Sequence, residues 1–261
     1  MTIQKTELDR QSEVWARLET VTDPELDESV TDLKFVTYVD VDASNCVHIG
    51  FRLPTYWCAA NFSFLMADDM RRAVLDLPWV AGVNVVLGEH MYADTINAGL
   101  ARGASFQETF GAEADGDLEE LRQTFLVKAF QRRQVALLDH LLAAGCDPKL
   151  LTRISVSDLG AQRLDEDGAK LRVRYLERRG VVGEALPSAP AFIDEKGACL
   201  TAERLMAYVK GLRRVCINAE FNGALCRGLL SVRFDLETPF VPSHATKAAT
   251  TTAAPNGDTA L

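Results

Sequence analysis

Two prolines bracket the most regular hydrophobic pattern in the chain, and that stretch constrains the fold more than any other. Between Pro54 and Pro78, the run Ala59 to Leu77 carries Phe62, Leu65, Met66, Met70, Ala73, Val74 and Leu77. Their i, i+3 and i+4 spacing predicts a helix with one buried face. Upstream, Leu33 to Val41 and Val47 to Leu53 read as strands around the turn residues Asp42-Ala43-Ser44-Asn45. That is an antiparallel hairpin. A first helix spans Glu7 to Thr20, with Val14, Leu18 and Trp15 as its apolar positions, and stops before Asp23-Pro24. After Pro78-Trp79, the valine-rich Val80 to Leu87 makes a third strand. The order helix, strand, strand, helix, strand predicts a compact α+β unit of roughly 80 residues, a helix packed on a small mixed sheet.

The rest of the chain divides less sharply. His90 to Gly111 is a helical or irregular extension, and 112–117 is a linker, so residues 1–111 form a first unit. Leu118 to Ala144 is the longest helical pattern, ended by Gly145 and Asp147-Pro148. Lys170 to Leu176 alternates as a strand, Asp194 to Gly197 is a turn, and Thr201 caps a helix to Leu212. Val215 to Phe221 and Leu229 to Leu236 are predicted strands around the glycine-bracketed turn Asn222 to Gly228. Residues 112–240 therefore read as a long helix plus a second α+β region, and 241–261 as a disordered tail.

Composition excludes several classes of function. A formal net charge of −9, with arginine pairs scattered among acids, argues against nucleic acid. No apolar run approaches the roughly 18 residues that span a membrane, and the polar start lacks a signal peptide's apolar region. The expected location is the cytoplasm. Six cysteines without a C-x-x-C pair support neither a zinc ribbon nor a disulfide framework. Nucleotide-binding loops and a G-x-S-x-G elbow are absent. The four histidines make no Glu-x-x-His pair, so the chain is not itself a di-iron oxygenase.

Local context singles out Cys58. Leu53-Pro54-Thr55-Tyr56-Trp57-Cys58-Ala59 puts it where a strand ends and a helix begins, and a helix N-terminus favours the thiolate that binds iron or exchanges persulfide. The bland alternative is a buried thiol beside Trp57. Asp23 can cap a turn begun by Pro24, and Asp32 can orient the turn before the first strand.

Thr22-Asp23-Pro24-Glu25-Leu26, followed by Val30-Thr31-Asp32-Leu33, resembles the D-P-E and I-x-D-L segments of the iron–sulfur assembly family, which includes PaaD-like and SufT-like proteins. The strand ending near Cys58, the helix after it and the valine-rich strand continue the likeness over about residues 8 to 90. The resemblance implies that Cys58 handles a metal or cluster, with Asp23, Glu25 and Asp32 as acidic residues near it. Ala59 stands where the family's T-x-x-C-P segment has proline, and Tyr56-Trp57 add bulk. Over its whole length the chain also resembles a longer form found beside bacterial di-iron monooxygenases. That implies a client metalloprotein, a monooxygenase hydroxylase, and a transient cargo of iron or an iron–sulfur cluster with none tightly bound.

Asn222 and Cys226 are secondary candidates, with Cys226 either a core thiol or a second ligand. His90 is a third, read as a surface histidine. Three readings compete: a maturation factor working through Cys58, a non-catalytic chaperone or adaptor using the 118–144 helix as its partner surface, and a cysteine enzyme. The last needs a base, and no histidine is placed for one, so no enzyme is expected. The oligomeric state, a homodimer included, is open.

Overall fold

A computed structural model describes residues 7–113 and 117–234. The predicted tail at 241–261 lies outside them, as does half of the predicted linker, 114–116. Helix α1 (Glu7–Glu19) leads into β1 (Val36–Val41), β2 (Cys46–Phe51), α2 (Ala60–Leu75) and β3 (Gly82–Leu87). The sheet order is β1-β2-β3, with β1 antiparallel and β3 parallel to the central β2. The hairpin turns tightly: Asn45 N–H donates to Asp42 O, and Asn45 takes the left-handed φ of 63° that asparagine tolerates.

One face of the sheet is covered. Val47, Ile49 and Phe51 of β2 and Val85 and Leu87 of β3 pack against Phe64, Met66, Ala67, Met70 and Val74 of α2 and Val14 and Leu18 of α1. Burying each large side chain is worth about 1.5–3 kcal/mol. On the other face the Tyr38 ring lies across Gly50. A Cβ there would stand 2.1 Å from Tyr38 Cε1.

Beyond the sheet come α3 (Ala93–Ala101), α4 (Phe106–Phe110) and a 3-10 turn, Gly111–Glu113. The second half holds α5 (Leu118–Ala143), α6 (Pro148–Leu151), α7 (Val156–Ala161), α8 (Glu166–Arg179) and α9 (Ala202–Phe234). The α+β class holds, but among the described residues after 117 there are helices and isolated bridges rather than strands.

Three predicted segments change accordingly. Lys170 to Leu176 is the middle of α8, whose start Asp165 caps by accepting from Gly168 N–H. The buried pair Tyr175 and Arg179 follows helical i, i+4 spacing, and the apparent alternation partner Val173 is exposed. Val215 to Phe221, the turn at Asn222 to Gly228, and Leu229 to Phe234 are one continuous helix, the second half of α9. The two glycines there are tolerated because tertiary packing outweighs their cost of about 1 kcal/mol each.

A second core gathers Phe130, Leu137, Leu138, Leu141, Leu151, Leu159, Tyr175, Phe192, Leu205, Val209 and Leu212. Helix α5 is therefore an inner element, with Ala129, Phe130, Gln134, Val135 and Leu141 all buried, and not the open partner surface its sequence suggested. Gln134 Nε2 donates to Ile193 O at 2.9 Å and Arg179 Nη2 to Pro190 O at 2.7 Å, which ties the 180–200 loop down.

The halves are joined by charge. Asp27, 4% exposed, takes two bonds from Arg133, at 2.6 Å from Nε and 2.9 Å from Nη2. Arg133 Nη1 also reaches Glu177 at 2.6 Å. A second link runs from Arg122 to Asp69 at 2.6 Å, beside the edge-on Phe62–Phe125 pair. Asp27→Ala is expected to cost about 3–5 kcal/mol, because it strands a buried guanidinium. Denaturant unfolding of the full chain measures it.

Candidate functional site

β2 ends at Phe51, and the chain runs through a loop, 52–59, that contains Pro54 and leads into α2. Leu53 is buried, whereas Tyr56 and Trp57 are 53% and 71% exposed. The loop is pinned from outside at three carbonyls. Met91 N–H donates to Tyr56 O at 2.9 Å, His90 Nε2 to Cys58 O at 2.8 Å, and Arg233 Nη1 to Leu53 O at 3.3 Å. Cys58 comes out partly buried, one residue before Ala59, the N-cap of α2. Ala59 has no side chain to cap the helix, and of the first-turn amides Phe62 N–H is taken by Asn61 Oδ1 at 2.8 Å. Thr55 Oγ1 lies 3.0 Å from Cys58 Sγ. Trp57 points to solvent, whereas Cys58 packs partly against the core of the first unit.

His90 differs from its surface reading. It is 5% exposed, and Tyr92 N–H donates to its Nδ1 at 3.1 Å. That leaves Nε2 as the protonated nitrogen, which serves the Cys58 carbonyl. Burial, and then the charge of Arg233, hold its pKa below the ordinary value against the bond to Cys58. His90 is a neutral brace for the loop.

The acidic loop 22–29, closed by a Thr22–Ser29 bridge, lies nearby. Asp23 Oδ1 accepts from Glu25 N–H at 2.9 Å and Leu26 N–H at 2.7 Å, the turn-capping geometry its sequence allows. Burial pushes its carboxyl up to about 6, against the pull of those two amides. Glu25 is reached from the other half of the chain: Asn222 Nδ2 donates to Oε1 at 2.7 Å, and Arg132 Nη1 donates to its backbone carbonyl. Asp32 is exposed on the turn before β1, and no bond connects it to Cys58.

Helix α9 completes the arrangement. Asn222, Cys226, Leu230 and Phe234 recur every four residues, so one face of the helix lies on the first unit. Gly223 permits the approach, since a Cβ there would stand 3.3 Å from Leu26 Cδ2. Arg227 grips Glu28 with bonds of 2.6 and 2.8 Å, Leu230 is buried, and Arg52 stacks on Phe234. The Cys226 thiol is pushed up to about 11, by burial first and then by the nearby Asp23 carboxylate, Cys58 and Glu25. Cys58, Cys226, Asp23, Glu25 and Asn222 thus share one neighbourhood, whereas Asp32 stands apart. Sequence reasoning missed Asp27, Arg132 and Arg227, whose roles depend on partners about 100 or more residues away.

Residues 11–85 match the family model described as iron-sulfur cluster assembly protein. The match covers less than a third of the chain, and over that stretch the chain is similar to iron–sulfur cluster assembly proteins. The match includes Asp23, Glu25, Asp32 and Cys58, and excludes His90, Asn222 and Cys226. The comparison with curated proteins finds no match. Among the described residues no helix is long and apolar enough to cross a membrane.

Asp23→Asn keeps the oxygen that caps the turn and removes the charge. Because the folded-state value of about 6 exceeds the ordinary 3.8, the folded wild type holds the extra proton between those limits. Its stability relative to the variant is expected to fall as pH rises through that window, and denaturant midpoints from about pH 4 to pH 7 check the sign. The same change removes a negative charge beside Cys226, so alkylation of that thiol at mildly alkaline pH is expected to quicken severalfold.

Proposed function

We propose that this chain is a maturation factor that passes iron or an iron–sulfur cluster to a client metalloenzyme through Cys58. The observation that carries the reading is the partly buried thiol before α2, inside the matched domain, close enough to the Cys226 thiol of α9 to act on its charge as Asp23 and Glu25 also do. Thiolates are the ligands that clusters and soft iron sites use. Cys226 serves as the second ligand, contributed by α9. The cargo is held transiently, and a cytoplasmic di-iron monooxygenase component is the client suggested by the likeness of the longer form. The factor carries out no turnover of its own. His90, which bonds the Cys58 carbonyl, has both nitrogens engaged and so is not free to act as a base for a nucleophilic thiol.

A second reading, an adaptor that docks a client without holding metal, draws on a different face. Ile217, Phe221, Leu225 and Val232 are 62%, 70%, 51% and 86% exposed and line the outer side of α9. Such a stripe suits partner binding.

Anaerobic reconstitution with iron and sulfide separates the two. Under the maturation reading, Cys58→Ser is expected to lose bound iron, sulfide and transfer to an apo-acceptor, with its melting midpoint within about 2 °C of wild type. If Cys58→Ser supports client activation as well as wild type, and Phe221→Asp with Leu225→Asp abolishes it, the adaptor reading stands and the carrier reading falls.

A further inference from the structure

The β1–β2 hairpin carries a donor set that the iron–sulfur reading does not use. Asp42, Cys46 and His48 each offer one ligand atom, and these atoms all lie within 4.8 Å of one another, on partly exposed side chains. The fold makes this set from seven consecutive residues. Cys46 and His48 are two apart on β2, so they share a face, and it is the outer one because Val47 and Ile49 between and beyond them are buried in the core. Asp42, at the turn, is locked by its first oxygen: Oδ1 accepts from Ser44 N–H at 2.8 Å, Ser44 Oγ–H at 2.6 Å and Cys46 N–H at 2.9 Å. Its second oxygen is thereby aimed at His48 Nε2, 3.4 Å away. Arg10 holds the turn from the side by donating to Asn45 Oδ1 at 2.5 Å. In β3, Gly82 pairs with Cys46 and leaves the sulfur uncovered, and on β1 the carboxylate of Asp40 stands in register with His48 on the same face.

The 3.4 Å between Asp42 Oδ2 and His48 Nε2 is long for a hydrogen bond and is also the separation of two ligands on one ion. An N–H···O bond has its mode near 2.9–3.0 Å, whereas two ligands each about 2.1 Å from a tetrahedral ion stand about 3.4 Å apart. Neither Cys46 Sγ nor the second nitrogen of His48 has another hydrogen-bond partner among the described residues. A thiolate, an imidazole and a carboxylate together select a borderline divalent ion of the zinc and ferrous class, and disfavour calcium and magnesium, which take oxygen shells.

We propose that Asp42, Cys46 and His48 form a three-ligand site for one such divalent transition-metal ion, with its fourth position open to solvent. The site is separate from the Cys58 neighbourhood. Cys46 opens β2 and Cys58 follows its far end, and the strand between spans about 16 Å at 3.3 Å per residue. The proposal therefore does not depend on what Cys58 does.

Cobalt titration of the full chain tests it, in a Cys58→Ser, Cys226→Ser background that removes the thiols assigned to cluster handling. One equivalent of Co²⁺ is expected to bind with a thiolate charge-transfer band and tetrahedral ligand-field bands, and Zn²⁺ is expected to displace it. Adding Cys46→Ser should abolish the charge-transfer band. Asp42→Asn, which keeps the turn-locking oxygen but loses the charge, and His48→Gln should each weaken binding at least tenfold while circular dichroism stays unchanged. Absence of a charge-transfer band in the background protein overturns the site. So does a band that survives Cys46→Ser, or an affinity that Asp42→Asn and His48→Gln leave alone.

Discussion

The buried contact between Asp27 and Arg133 fixes the acidic 22–29 loop against the second half of the chain. Asp27 sits at a left-handed φ of 53°, a conformation that costs a non-glycine residue energy and persists only where surroundings enforce it. Arg133 enforces it with two bonds, and Arg178 approaches the same carboxylate at 3.4 Å. Such a pair contributes little net stability against an apolar replacement, yet breaking one side is expensive. Its value is registration. With Asp27 fixed, the 22–29 loop can present Asp23, Glu25 and Glu28 at set positions to α5 and α9.

The same registration ties the matched stretch to the C-terminal half. Each acid of the loop is answered from beyond residue 117: Glu25 by Asn222, Asp27 by Arg133, Glu28 by Arg227, and Asp23 by the field of Arg132. From Asn222 to Arg233, α9 advances about 16 Å, long enough to run from the acidic loop to the Cys58 loop, where Arg233 meets Leu53 O and Glu89. The second thiol arrives by the same route. The matched domain supplies Cys58 and the acids, and the added helix brings a partner thiol and an amide.

The first 90 residues were legible because their elements alternate in period. Helix, paired strands, helix and strand each carry a distinct apolar rhythm, with turn residues between them. The α8 strand expectation failed because Leu171, Val173 and Tyr175 alternate over a few residues, and so short a run does not separate strand from helix. In α9 the glycines at 223 and 228 looked like a turn. What holds that segment helical is the i, i+4 face of Asn222, Cys226 and Leu230, which becomes meaningful only once the surface beneath it exists. The place of Cys58 between a strand and a helix was visible in the sequence. The brace at His90 was not, since its partner is a carbonyl 32 residues earlier and backbone acceptors leave no mark in sequence.

The charges around the two thiols carry the remaining physical point. Asp23 and Cys226 are both held above their ordinary pKa values, first by burial and partly by neighbouring negative groups. Ionising either group adds negative charge to a desolvated spot, which the fields of Arg132 and Arg227 offset only in part. A bound metal inverts that balance: it favours the thiolate and carboxylate forms and releases their protons as it binds. Under the proposed function, the affinity for cargo is thereby discounted by the work of deprotonating a buried thiol. A carrier needs a ligand set strong enough to take a cluster and weak enough to give it up. A second thiol that resists ionisation meets that requirement better than one already charged.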